Sequence, residues 1–92
     1  MFTKNIAELE KLDKKTKNKE ILRLGIIAEL DAISFYEQLA AATEDKKLKT
    51  ILLDIAKEEK THVGEFQALL LKLDKEQEEE LKEGKKEVDE LI

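Results

Sequence analysis

Apolar residues recur every three or four positions along most of this chain, and the breaks in that rhythm divide it into segments. Leu22, Ile26, Ile33, Tyr36 and Ala40 lie on one stripe, which predicts a long helix over residues 18–42. Thr43-Glu44-Asp45 interrupts the stripe and turns the chain. Thr43 or Asp45 is placed to cap the next helix, because a short polar side chain accepts hydrogen bonds from the first free backbone N–H groups. A second stripe of Leu48, Leu52, Ile55, Phe66, Leu70 and Leu73 predicts a helix over residues 45–73. Two long helices joined this tightly become antiparallel neighbours. Asp74-Lys75-Glu76-Gln77 has the form of a capping box and opens a third, more polar helix that Gly84 ends or loosens. Upstream, Ile6, Leu9 and Leu12 predict a short helix, and the lysine-rich stretch 13–19 reads as a polar linker. The expected organisation is a short N-terminal helix with its linker over 1–17, a helical hairpin over 18–73 and a C-terminal helix over 74–92.

Some residues on the stripes do not belong there chemically. At about 100° per residue, Glu29 falls in the middle of the first stripe, and Glu59 and His62 fall within about 40° of the centre of the second. A carboxylate withdrawn from water needs a cation beside it. Between Ile21 and Leu73 no Lys or Arg lies near the centre of either stripe, and Lys57 and Lys60 point well away. A bound metal ion supplies the missing charge. The heights agree too, since Glu29 and Glu59 are equally far in sequence from Glu44 at the turn and so face each other across the hairpin. His62 is one turn from Glu59 on the same face and can ligate the same ion. Glu-x-x-His by itself is a common coincidence in a chain so rich in glutamate. The conjunction of two mid-stripe acids, matched heights and no counter-cation carries the argument; the simpler reading is a solvated groove in which the acids stay wet.

Tyr36, two turns beyond Glu29, is either a core tyrosine with its hydroxyl hydrogen-bonded or a neighbour of the site. Asp31 and Glu37 sit outside or at the edge of the stripe, where a solvated face accounts for them. A di-iron carboxylate bundle needs one Glu from each of two helices and a Glu-x-x-His from each of two others. One chain offers half of that set. The expected fold class is therefore all-α: an antiparallel two-helix hairpin plus short terminal helices, completing a ferritin-like four-helix bundle by two-fold dimerisation.

Composition narrows the field further. At 92 residues the chain allows one small domain, and a core that small needs help from a metal, disulfides or self-association. With no cysteine, disulfides and thiolate ligation are excluded, so any metal is held by oxygen and nitrogen. The absence of proline and the 42% of charged residues favour a helical, ion-paired chain. The net charge is −5 with the signs interspersed, which argues against a nucleic-acid partner. No apolar run approaches the roughly 20 residues that span a bilayer, and no secretory h-region opens the chain, so no membrane partner and a cytoplasmic location are expected.

The segments Glu29-Leu-Asp-Ala-Ile-Ser-Phe-Tyr36 and Glu58-Glu59-Lys60-Thr61-His62 resemble the two metal-binding segments of the encapsulated ferritins. The likeness spans roughly Ile21 to Leu81 and is strongest over Ile26–Ala32, Tyr36-Glu-Gln and Val63–Leu71, where it is nearest in appearance to the archaeal and thermophilic branch. This resemblance implies a ferroxidase centre at a dimer interface, with metal ligands on Glu29, Glu59 and His62 and the site tyrosine on Tyr36. It also implies a ring-shaped decamer of five such dimers inside an encapsulin protein shell, a nanocompartment of the cytoplasm. Some bacterial relatives gather metal through acids on an adjacent helix face; those positions here are Ala28 and Asp31, so Asp31 alone could serve.

The expected activity is oxidation of Fe(II) to Fe(III) by dioxygen at an inter-subunit di-iron centre, feeding iron storage, with zinc, manganese or calcium able to occupy the same ligands. Two rivals stand beside it: a rubrerythrin-like peroxidase using the same centre, and a non-catalytic metal-binding helical assembly or adaptor. The peroxidase would lack its own electron relay, since the chain has no cysteine.

Overall fold

The structure is a computed structural model in which residues 6–92 are described. Those residues form four helices and no strand: α1 (Ile6–Leu9), α2 (Lys14–Ala42), α3 (Lys46–Leu73) and α4 (Lys75–Leu91). The start of the expected N-terminal helix lies outside the described residues.

Each long helix begins at an aspartate, for the same physical reason. The first N–H groups of a helix have no partner within it, and a carboxylate there satisfies them while meeting the positive end of the helix dipole. Asp13 accepts from the Thr16 N–H at 2.9 Å, Asp45 from the Leu48 N–H at 2.9 Å and Asp74 from the Gln77 N–H at 3.0 Å. Of the two candidate caps in the interhelix turn, Asp45 caps α3, while Thr43 ends α2 and its hydroxyl accepts from the Asp45 N–H at 3.2 Å.

Two boundaries differ from the periodicity. Residues 14–19 form the first turns of α2 instead of a linker, because Asp13 caps the chain there and its carboxylate also accepts from the Thr16 hydroxyl at 2.9 Å. Lysine is a good helix former, so the apolar stripe starts later than the helix that carries it. Gly84 neither ends nor breaks α4, which continues to Leu91 with no positive-φ residue among the described residues.

α2 and α3 form the antiparallel hairpin, each about 43 Å long at 1.5 Å per residue. Among the described residues the buried apolar side chains are Leu9, Leu22, Ala40, Ala56 and Leu70, a thin seam and not a core. Leu48, expected on the inner stripe, is exposed. Leu30, Phe35, Ile51 and Leu69 are each more than half exposed. α4 touches α3 sparsely and is tethered by Arg23 of α2, whose guanidinium donates to Asp74 at 3.0 Å. The radius of gyration is 16.6 Å, against about 12 Å for a compact domain of this length, so the fold is elongated and open-sided.

Candidate metal centre

Halfway along the hairpin, α2 delivers Glu29 and α3 delivers Glu59 and His62 to one spot. His62 Nδ1 lies 3.3 Å from a Glu29 carboxylate oxygen and 3.5 Å from one of Glu59. Donor atoms from all three residues fall within 4.8 Å of one another. The matched heights read from the sequence thus correspond to real proximity, and the i, i+3 spacing of Glu59 and His62 stacks them on the facing side of α3.

The environment is half-dry. Both carboxylates are 20% exposed and the imidazole 45%, on the flank that the open side of the hairpin leaves accessible. Among the described residues the only ion-pair contacts made by Glu29 and Glu59 are with His62. Lys60, the nearest cation in sequence, pairs instead with Glu37 at 3.0 Å on the outer surface. Two acids therefore share one imidazole, which cannot neutralise both.

The donor set suits a divalent cation. Ligands at about 2.1 Å from one ion lie about 3.0 to 3.4 Å apart in octahedral or tetrahedral geometry; the 3.3 Å from His62 to Glu29 falls in that range and the 3.5 Å to Glu59 lies just beyond it. Hard carboxylate oxygens with one imidazole nitrogen accept iron, manganese or zinc.

The other sequence candidates fall elsewhere. Tyr36 is partly buried two turns along α2 and meets Phe35, ring centroids 5.7 Å apart, but makes no hydrogen bond to the trio. Asp31 is exposed and outside the cluster. Two features went unread in the sequence. Phe66 packs so closely on Gly25 that a Cβ there would meet three ring carbons at 3.0 to 3.1 Å. Asp74, read as a cap, also forms the ion pair with Arg23, a contact across 51 residues that no local pattern signals. The Gln77 N–H chiefly, with help from Lys19 and Arg23 and against the effect of burial, holds the Asp74 carboxyl below its ordinary 3.8.

A family model described as EncFtn-like matches residues 4–88, nearly the whole chain. The chain belongs to the EncFtn-like family. It is 67% identical over 72 residues to a ferritin-like–encapsulin shell fusion protein of Pyrococcus furiosus, a stretch covering 78% of this chain and 21% of that protein. It is also 42% identical over 63 residues to the encapsulin nanocompartment cargo protein EncC of Myxococcus xanthus, covering 68% of this chain and 48% of that one. The EncFtn-like chain thus spans less than half the length of either relative. The crystal structure of the encapsulated ferritin domain from Pyrococcus furiosus superposes with a TM-score of 0.85 at 54% identity, covering all of this chain and 89% of that one. No helix among the described residues of this EncFtn-like chain is long and apolar enough to cross a membrane.

Proposed function

We propose that this chain is a ferroxidase whose di-iron site forms where two copies meet, and that it works inside an encapsulin shell. The observation that carries the reading is the convergence of Glu29, Glu59 and His62 on one half-exposed spot, with no lysine or arginine among the described residues paired to the acids. A second copy related by a two-fold axis doubles the set to the four glutamates and two histidines that a ferritin-like centre uses. It also covers Ile51 and Leu69, which share the face of α3 that carries His62 and which one hairpin leaves in water. Membership of the EncFtn-like family and the relatives named as encapsulin fusion and cargo proteins support the shell as its setting.

Ferrous iron is the substrate, and when bound in pairs it supplies the electrons that reduce dioxygen. The chain's own groups do the rest. Glu59, one turn from His62 on the inner face, would hold the metals as the bridging carboxylate, and Glu29 would be the terminal one. His62 Nδ1 is the nitrogen donor, available to a cation in the tautomer that carries no proton on that nitrogen. Tyr36, off the trio in one chain, would hydrogen-bond a ligand only in the assembled dimer. Asp31, exposed on α2 two residues from Glu29, is the one position of the outer acidic face that could gather metal on its way in.

The test is anaerobic loading with ferrous iron followed by oxygen, reading ferric absorbance. Glu59→Ala and His62→Ala are each expected to slow oxidation at least about tenfold, since losing a ligand costs more than losing a group behind one. If both variants oxidise iron at the wild-type rate, the centre is elsewhere.

A further inference from the structure

Glycine in the middle of a 29-residue helix weakens that helix relative to alanine, so Gly25 calls for a reason in packing. The Phe66 ring supplies one. A methyl group at Gly25 would stand 3.0 Å from Cε2 and 3.1 Å from Cδ2 and Cζ, where carbon atoms in contact ordinarily sit about 3.5 to 4.0 Å apart. Gly25 lies four residues before Glu29 on α2, and Phe66 lies four residues after His62 on α3. In an antiparallel hairpin those offsets make the two contacts adjacent rungs, with Phe66 on Gly25 one turn from His62 against Glu29 at 3.3 Å. The absent Cβ is what lets the helices approach to that distance.

We infer that Gly25 is a positioning residue for the metal centre, fixing through Phe66 the gap across which Glu29 and His62 hold one ion. The inference rests on the metal-centre reading above and adds a residue that touches no metal. A side chain at position 25 makes the Phe66 ring give by a few tenths of an ångström, and where the ring carries α3 with it the neighbouring rung opens. Gly64, on α3 two residues from His62, is the matched control, because a Cβ there meets nothing within 4 Å.

The experiment titrates Co(II), a spectroscopic stand-in that accepts the same oxygen and nitrogen donors, into the full chain. Its visible absorbance is read, and circular dichroism reports helicity. Gly25→Ala is expected to bind Co(II) about 10 to 100-fold more weakly with its helices intact, the range seen when a residue behind a ligand is lost. Gly64→Ala should bind as wild type. Gly25→Ala/Phe66→Leu, in which the ring is replaced by a smaller side chain, should recover to within a few-fold of wild type. Gly25→Ala binding at wild-type affinity overturns the inference, as does a folded double variant that stays weak. Should Gly25→Ala alone not fold, the double variant decides by the same criterion. Glu59→Ala run alongside separates the two claims. If it binds Co(II) like wild type, the metal reading itself has failed, whereas its loss beside a normal Gly25→Ala rejects only the role of Gly25.

Discussion

Two carboxylates held against one imidazole, both only 20% exposed, make the trio a compromise between folding and metal binding. In the absence of metal the like charges of Glu29 and Glu59 repel, and on the proposed reading a bound cation would reverse that sign. Glu29→Gln is therefore expected to melt slightly higher than wild type without metal, yet to show a much smaller rise in melting temperature when ferrous iron or Co(II) is added. A variant that gains as much from metal as wild type does would remove Glu29 from the ligand set. The capping aspartates give a separate residue-scale signature. Asp13, through the backbone and hydroxyl of Thr16, and Asp74, chiefly through the Gln77 N–H, are both held below their ordinary 3.8. A depressed carboxyl stabilises the fold fully above its unfolded-state value and loses that contribution as pH falls through the folded-state value. Helicity followed by circular dichroism should therefore drop below about pH 4, and an Asp13→Asn/Asp74→Asn chain, whose caps do not titrate, should show a shallower decline there. Superimposable titrations would contradict this account of the caps.

At the level of the elements, stability is concentrated in few places, because α2 and α3 bury a seam of small and medium side chains and little else. Asp45 both ends the turn and opens α3, so Asp45→Ala should cost about 1 kcal/mol, or about 4 to 8 °C in melting temperature for a chain of this size. Leu70 is 5% exposed near the far end of the seam, and Leu70→Ala should cost about 2 kcal/mol or more by leaving a gap that the thin packing closes only in part. Thermal melts of the two variants rank these effects, and a cap variant less stable than the Leu70 variant would contradict the ordering. The helices themselves were legible from stripe and cap signals. The start of α2 was not, since a lysine-rich turn carries no apolar period, and neither was the passage of α4 through Gly84, whose helical backbone costs stability without forbidding the helix.

Taken whole, one chain is an open hairpin with a tethered arm, elongated and with large apolar side chains left in water. Ile51 and Leu69 share the face of α3 that carries His62 and are 57% and 53% exposed. On the proposed two-copy site, Ile51→Glu/Leu69→Glu is expected to lower the assembled mass to that of a monomer and to abolish iron oxidation while leaving all three ligands in place. Native mass spectrometry with and without iron reads the first effect and ferric absorbance the second. A monomer that still oxidises iron at the wild-type rate would refute the shared centre.

The sequence by itself determined the helical class, the hairpin, the Asp74 cap and the identity of the trio. Each of these depends on residues a few positions apart or on charge counted along one face, and helical periodicity converts such spacing directly into geometry. Only the tertiary structure decided what depends on how two helices approach each other. It placed His62 within 3.3 Å of Glu29, set the Phe66 ring on Gly25, paired Arg23 with Asp74 and kept Tyr36 off the trio. Interhelical distance is fixed by which side chains interlock across the seam, and a one-dimensional pattern gives the faces that meet but not how closely they settle.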